Sequence, residues 1–423
     1  MFLMENNFGN LIKIERMRQE MKQAVLARGI CSVSYLSKIE NNQTSPSDEV
    51  LELLFERLEL NVPLYHDFGE QAKKIEKEIN EILKDAILTR KDRGKQEQVI
   101  KYLNHPVVNQ SKDLYITLLL ALGRFQIMPD GKGDYLKQIG WIEDQLSREN
   151  KLRYLTMKSL ILFDQNDKEE SFKLLEMLNR EIPNASFQDW EIADMRYIIG
   201  ASYYRFTEYL PAIENVKYAL EYFQENFYLE RIVECHLIIG LSLKRRRRFT
   251  EALSHYHRAV KVIGATERTD YFGMLYNNMG EIYSSLGEQE KALEYFMQSF
   301  DYKLEVKSKL YSVLSLIEGY VNYQNTNEII NWLDKGYEIK SERDGLEEFD
   351  HHFKIYEYCY RTHDKEALIL ALKAAVSYFE TINDYVYIQK YSLWLAQELK
   401  ASGKYKQATD YYEKVISIMS QAE

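Results

Sequence analysis

Proline and cysteine are scarce in this sequence. Only 6 of its 423 residues are proline and 18 are glycine, so residues that break helices are too rare to interrupt them often. The three cysteines, Cys31, Cys235 and Cys359, have no paired spacing, which excludes a disulfide framework and a zinc ribbon and is typical of a reducing compartment. These shortages favour a mostly helical protein.

Long apolar runs are also missing. No stretch reaches the ~18 consecutive apolar residues that a membrane-spanning helix needs. The apolar opening Met1–Met4 is followed at once by Glu5, so we predict no signal peptide. We therefore expect a cytoplasmic protein without a membrane partner.

Positive charge is in deficit over the whole chain. Lys and Arg number 55 against 65 Asp and Glu, which gives a formal net charge of -10. Such a balance repels nucleic acid over most of the surface. Any DNA contact must then be confined to one small module, and 423 residues are enough for two or three domains at ~150 residues each.

The first sixty residues have the pattern of four short helices. Apolar residues at helical spacing predict the first two helices, Gly29 supplies a sharp turn, and Ser32 is a suitable N-cap for the third. Ser45-Pro46-Ser47 contains the start signals of the fourth. The predicted ranges are Phe8–Glu20, Lys22–Arg28, Val33–Glu40 and Asp48–Leu58.

These residues carry a specific resemblance. The matching positions are Gln23, Leu26, Ser34, Leu36, Ser37, Lys38, Ile39, Glu40, Pro46 and Ser47. They resemble the helix-turn-helix of the Xre/Cro-like transcriptional regulators. The resemblance implies that the exposed start of the third helix reads base edges and that nearby polar residues contact phosphates. The residues implied in DNA binding are Lys22, Gln23, Ser32, Val33, Ser34, Tyr35 and Lys38.

The same resemblance gives Glu40 a structural role at the end of the third helix, with Arg16 as a candidate partner. The alternative is a module that has lost DNA binding and serves only for docking. The first 41 residues hold six Lys or Arg against four Glu. A monomer with so little positive charge would bind DNA feebly, so we predict a homodimer or higher oligomer that reads two half-sites.

The rest of the chain repeats. Glycines at 200, 240 and 280, and alanines at 212, 252 and 292, each recur after 40 residues. With aromatic residues between them, they resemble the tetratricopeptide repeat, in which small residues let two helices cross closely. The prediction is all-α: a helix-turn-helix domain over residues 1–62, then a right-handed tetratricopeptide superhelix of eight or nine helical hairpins over residues 63–423.

Such a repeat domain presents an inner face suited to an extended peptide. Asn277-Asn278 is its most informative pair, because an Asn amide both donates to and accepts from a peptide unit. An ordinary capping or solvated Asn is the alternative. Arg124 is the preferred partner of a ligand carboxylate. The candidate peptide contacts are Arg124, Arg153, Tyr197, Tyr204, Arg205, Asn277, Asn278, Glu281, Glu318 and Asn322.

Catalytic patterns are missing from the sequence. It contains no phosphate loop, no dinucleotide fingerprint and no H-E-x-x-H, and the adjacent His351 and His352 point to different faces of a helix. We predict no enzyme, no cofactor and no metal.

A Xre-type module followed by these repeats resembles the RRNPP family of quorum-sensing receptors, and within it the NprR- and PlcR-like members. The resemblance implies a transcriptional regulator whose repeats bind a short signalling peptide and thereby control binding to a double-stranded DNA operator. Two alternatives stay open. One is Rap-like binding and inhibition of a sporulation response regulator, for which Gln96 or Gln98 would have to place water if dephosphorylation occurred. The other is a DNA-binding regulator whose repeats meet only other proteins.

Overall fold

The computed structural model describes residues 8–60, 69–90, 94–130, 134–266 and 269–421, and every regular element in these ranges is helical. The chain divides into two compact units, Met1–Arg248 and Phe249–Glu423. Within the described ranges, no helix is both long enough and apolar enough to cross a membrane. The prediction of an all-α protein with a helix-turn-helix followed by tetratricopeptide-like repeats is confirmed.

Four helices form a head at the start of the first unit. They are α1 (Gly9–Arg18), α2 (Gln23–Ala27), α3 (Val33–Glu40) and α4 (Asp48–Arg57). Leu26, Leu36 and Ile39 lie in its core. Gly29 has a φ of 74° in the turn between α2 and α3, a conformation that side chains disfavour. Ser32 caps α3 as predicted, because its hydroxyl accepts a hydrogen bond from the backbone N–H of Tyr35 at 3.1 Å.

The first unit continues with helices that pack in sequence. They are α5 (Gly69–Thr89), α6 (Lys95–Ile100), α7 (Pro106–Gln110), α8 (Lys112–Asp130), α9 (Asp134–Gly140), α10 (Arg148–Asp164), α11 (Lys168–Glu181), α12 (Asp189–Arg205), α13 (Tyr209–Glu225) and α14 (Leu229–Arg245). A 3-10 turn at Glu143–Gln145 precedes α10. The buried apolar residues of the head and of the helices as far as the start of α13 form one continuous core from Phe8 to Ala212.

The second unit consists of nine helices in its described residues. They are α15 (Phe249–Ile263), α16 (Asp270–Ser285), α17 (Gln289–Tyr302), α18 (Val306–Asn322), α19 (Thr326–Lys340), α20 (Glu347–Tyr360), α21 (Lys365–Thr381), α22 (Tyr385–Ala401) and α23 (Tyr405–Gln421). The predicted boundary between residues 62 and 63 lies outside the described residues. The division into 1–62 and 63–423 stays a prediction.

The repeat length of 40 residues has a simple origin. Helices α12, α13 and α14 each have 17 residues and are joined by three-residue turns, whereas the usual tetratricopeptide repeat has ~34 residues. The small residues lie at the crossings, as predicted. A Cβ atom on Gly200 would lie 2.4 Å from Val216 Cγ2, and one on Gly280 would lie 2.5 Å from the ring of Phe296.

Candidate functional site

The start of α3 forms an exposed surface on the head. Ser32, Val33 and Ser34 are exposed, and so is Lys38 one turn further on, while Tyr35 is half-buried. Val33 retains 44% of its surface, although an apolar residue of this size is usually buried. Lys22 is exposed at the N-cap of α2. Of the seven residues predicted to contact DNA, five are thus exposed and a sixth, Tyr35, is partly exposed beside them.

The seventh, Gln23, takes part in a buried network under that surface. Arg16 Nε donates to Glu40 Oε1 at 2.5 Å and Arg16 Nη2 donates to Glu40 Oε2 at 3.0 Å. Gln23 Nε2 donates to the same Oε2 at 2.7 Å, and Arg16 Nη1 donates to the carbonyl of Met21 at 2.7 Å. The expected partnership of Glu40 with Arg16 is therefore present, and it ties the end of α3 to α1 and α2.

A cavity of about 330 Å³ opens within the repeats of the first unit. Helices α5, α8, α10 and α12 wall it, and its lining includes the predicted residues Arg124 and Arg153. Both arginines are held by acidic residues of α12. Arg124 Nη2 lies 3.1 Å from Asp194 Oδ2, and Arg153 makes two bonds to Glu191, of 2.8 and 3.0 Å.

Asp194 is the centre of a larger charge network beside the cavity. Arg231, whose side chain is 0% exposed, places Nη2 3.1 Å from Asp194 Oδ1. Arg90 Nε donates to Glu234 Oε1 at 2.8 Å. Burial by itself would raise the pKa of Asp194, but Arg124, Arg231 and Arg90 outweigh it and hold the pKa below its ordinary value. Asp194 is therefore a carboxylate at neutral pH.

The predicted residue Tyr197 belongs to this network and does not line the cavity. The guanidinium of Arg231 lies 4.3 Å from the centre of its ring and that of Arg90 lies 5.8 Å away. Burial, with a contribution from Glu234, raises the pKa of Tyr197, so the phenol stays neutral. The ring fixes two arginines by cation–π contact, which orients the charges behind the cavity wall.

The predicted residues Tyr204 and Arg205 lie at the end of α12 and do not line the cavity either. Tyr204 packs near Tyr209 at 6.0 Å between ring centres. Arg205 pairs with Asp164, and its guanidinium lies 3.7 Å from the centre of the Phe163 ring. These contacts give both residues a packing role.

The second unit contains another polar cluster. Asn277 Nδ2 donates to Glu281 at 2.8 Å, and the Ser315 hydroxyl lies 3.4 Å from Asn277 Oδ1. Glu318 pairs with Lys390. Asn278 is 8% exposed, and its Nδ2 donates to the Met274 carbonyl of its own helix at 2.9 Å. Asn322 is exposed at the end of α18.

Lys303, which the sequence interpretation missed, lies near this cluster. Burial lowers the pKa of Lys303 to about 8, against a partial opposing effect of Glu281. The sequence interpretation also missed Arg90, Asp194, Arg231 and Glu234. For Asp194 a signal was present, since its charge lies between the buried residues Ala193 and Met195 of its helix, and a charge at a core position needs a partner.

Comparison with known proteins agrees with both parts of the chain. A helix-turn-helix model matches residues 12–64, and tetratricopeptide repeat models match residues 233–305 and 390–419. The transcriptional activator NprA of Geobacillus stearothermophilus is 26% identical over 407 residues, which is 92% of this chain and 97% of NprA. This chain is thus similar to a transcriptional activator along nearly its whole length.

Solved structures share the fold of this chain. The apo form of the quorum sensor NprR from B. thuringiensis has a TM-score of 0.71 at 19% identity, and covers 84% of this chain and 100% of its own. NprR in complex with its cognate peptide NprX has a TM-score of 0.58 at 20% identity. That match covers 82% of this chain and 99% of the NprR chain. At this level of identity the likeness concerns the fold alone.

Proposed function

We propose that this protein is a quorum-sensing transcriptional regulator of the RRNPP family and acts in the cytoplasm. Its head binds a double-stranded DNA operator, and its repeats bind a short signalling oligopeptide that controls this binding. The observation that carries the proposal is the alignment with a transcriptional activator over both the head and the repeats. The three free cysteines are consistent with a reducing compartment.

The exposed start of α3 supports the DNA-binding part. In a helix-turn-helix the second helix of the motif enters the major groove with its N-terminal residues towards the bases. Ser32, Val33 and Ser34 occupy that end of α3, and Lys22 and Lys38 are placed to contact phosphates. Because each head offers few cations, two heads in a homodimer are needed for tight binding.

The polar walls of the repeats support the peptide-binding part. The cavity beside Arg124 and Arg153 combines fixed charges with apolar surface from residues such as Trp190 and Met157, a mixture typical of ligand sites. In the second unit, Asn277 and Asn278 offer amides to a peptide backbone. The peptide acts through its different affinity for two arrangements of the protomers.

The alternative partner is a response regulator, which a Rap-like protein would inhibit by binding. It rests on the resemblance of the repeats alone. The candidate amides Gln96 and Gln98 both lie on the short helix α6. The relative that aligns over nearly the whole chain is a transcriptional activator, which favours the regulatory function and not an enzyme.

The DNA-binding part is tested by selecting duplexes from a randomised library with the full-length protein. We expect the wild type to enrich one half-site and the Ser34→Ala/Lys38→Ala double variant to enrich none, because it loses base and phosphate contacts. The exposed Lys173→Ala on α11 is the control. Equal affinity of the double variant and the wild type for the enriched duplex, measured by fluorescence anisotropy, would refute the interface.

The peptide-binding part is tested with peptides retained from a bacterial lysate and identified by mass spectrometry. Asn278→Ala should weaken binding of the retained peptide by ~1–3 kcal/mol through an unpaired peptide group, measured by calorimetry. Asn226→Ala is a matched control, since Asn226 Nδ2 makes the same bond to a carbonyl four residues earlier, at 2.9 Å from Tyr222 O. Equal losses in both variants would place the peptide elsewhere.

A further inference from the structure

The repeats cap the end of α3. Gln145, in the 3-10 turn before α10, donates from Nε2 to the backbone carbonyl of Glu40 at 3.1 Å, and the same nitrogen lies 3.4 Å from Asn41 Oδ1. In return, Asn42 Nδ2 donates to Gln145 Oε1 at 2.6 Å. The last carbonyls of a helix have no hydrogen-bond donor within that helix. Gln145 supplies a donor to one of them, the carbonyl of Glu40.

The part of the head that receives Gln145 is tightly braced. Asn42 has a φ of 55°, and its Nδ2 also donates to Asn10 Oδ1 of α1 at 2.9 Å. A Cβ atom on Gly9 would lie 2.1 Å from the carbonyl oxygen of Ile39, so α1 begins in direct contact with the end of α3. The residues that receive Gln145 are therefore held firmly against α1.

Apolar packing supports this polar contact. Helix α1 packs against α8, and Leu11 and Tyr115 are buried in the core that the head shares with the repeats. The carboxylate of Glu15 lies close enough to Tyr115 to contribute, after burial, to the raised pKa of this tyrosine. The head is thus fixed at two points, α3 through Gln145 and α1 through α8.

The cavity is walled by α8 and by α10, the helix that directly follows the turn of Gln145. Two residues after Gln145, Ser147 caps α10 by accepting a hydrogen bond from Asn150 N at 3.3 Å, and Ser147 and Asn150 both line the cavity. Helix α8 contributes Arg124 to the cavity and Tyr115 to the contact with the head. A displacement of α8 or α10 by a ligand would therefore move the supports of the head.

We propose that Gln145 is a positioning residue for DNA recognition. It acts through Asn42 and the backbone of Glu40 to hold α3 in one orientation on the repeats, so that the repeats set the distance between the two half-sites of the operator. This inference rests on the proposed function. A dimer with rigidly held heads accepts one spacing, close to a multiple of the helical turn. A dimer whose heads can rotate on the repeats accepts several spacings.

The test compares the wild type with Gln145→Ala and Gln145→Glu in the full-length protein. The second variant keeps the acceptor for Asn42 and removes the donor to the Glu40 carbonyl. Arg148→Ala is the matched control, because the bonds described for Arg148 go to Glu181 and the Asn184 carbonyl, which belong to the repeats and not to the head. Each protein selects duplexes from a randomised library, and the spacing between enriched half-sites is counted by sequencing.

We expect the wild type and the control to enrich one spacing, and both Gln145 variants to enrich the same half-site at several spacings. The preference for the best spacing over its neighbours should fall at least ~5-fold, the worth of one lost hydrogen bond. Affinity for an isolated half-site should stay within about twofold. A single unchanged spacing in both variants overturns the proposal, and so does a loss of half-site affinity, which would indicate a purely structural role.

Hydrogen exchange in the absence of DNA separates this proposal from the proposed function. The amides of residues 41–43 should exchange about fivefold faster in the Gln145 variants than in the wild type and the control. Unchanged exchange rates would refute the contact in solution. If the wild type enriches no duplex while exchange rates respond as expected, the proposed function fails and the contact between Gln145 and α3 stands.

Discussion

Single residues decide which charges this protein can bury. Glu40 is almost completely buried, and three donated hydrogen bonds from Arg16 and Gln23 compensate it. Asp194 has Arg124 and Arg231 as partners. Removing one partner leaves a buried charge without compensation. The resulting loss of stability is larger than the net contribution of the intact pair. Lys303 is the exception, because the opposing charge of Glu281 offsets only part of the effect of burial on the pKa of Lys303.

Lys303 therefore predicts a pH dependence of stability. The pKa of Lys303 is about 8 in the folded protein, against an ordinary value of 10.5. Between these two pKa values the unfolded chain binds more protons than the folded one, so the free energy of unfolding rises with pH. Below pH 8 Lys303 is charged in both states, and the folded protein bears the whole cost of burying that charge. Lys303→Met should remove this cost and stabilise the protein at pH 7 by on the order of 2 kcal/mol.

Urea unfolding between pH 7 and pH 9.5 measures this effect. The difference between Lys303→Met and the wild type should shrink steadily as pH rises above 8. Lys365→Met, at an exposed position at the start of α21, is the matched control for replacement of a lysine by methionine. A difference for Lys303→Met that does not change over this pH range would contradict the argument.

At the scale of elements, close helix crossings define the repeats. Gly200 faces Val216 and also the backbone, since a Cβ atom there would lie 2.9 Å from the carbonyl oxygen of Ala212. At Gly280 the obstacle is the ring of Phe296, at 2.5 Å, and a side chain yields more easily than a backbone. The two glycines have equivalent places in the pattern but differ in how their neighbours can relax.

We therefore expect Gly200→Ala to destabilise the first unit by about 1–3 kcal/mol through overpacking, and Gly280→Ala to cost less. Gly264→Ala is the control, because the closest atom to its added Cβ would be 3.3 Å away. Denaturant unfolding followed by circular dichroism gives the three values. Equal costs at positions 200 and 264 would show that the crossing of α12 and α13 tolerates an additional methyl group.

The elements were largely predictable from the sequence. The range predicted for α3 is the one observed, and those of α1, α2 and α4 differ by at most two residues at either end, because N-caps, glycines and prolines are local signals. Gly200, Gly240 and Gly280 disclosed the crossings by their constant spacing. The partners of Arg124 and Arg153 were not predictable, since Asp194 and Glu191 lie 70 and 38 residues away along the chain, and no local rule connects them.

At the scale of the whole molecule, the acidic balance confines the proposed DNA-binding surface to the head. With a net charge of -10, the repeats add repulsion towards the duplex, so the orientation of the head on them matters for affinity. The sequence showed that a small head and a long repeat region are joined. It did not show that the head and the first repeats share one hydrophobic core, because nothing in the local sequence around Tyr115 or Gln145 predicts a contact with the head.

The shared core between the head and the first repeats has a consequence for protein engineering. Domain exchange between regulators assumes that a DNA-binding module is an independent cassette that can be transplanted with its specificity. Here the helix that we propose to contact the operator receives one of its capping hydrogen bonds from Gln145, outside the module. A chimaera that keeps residues 8–60 and replaces the repeats would keep the base preference of α3. It would lose the orientation of the head that Gln145 and α8 impose, and with it the preferred spacing of half-sites.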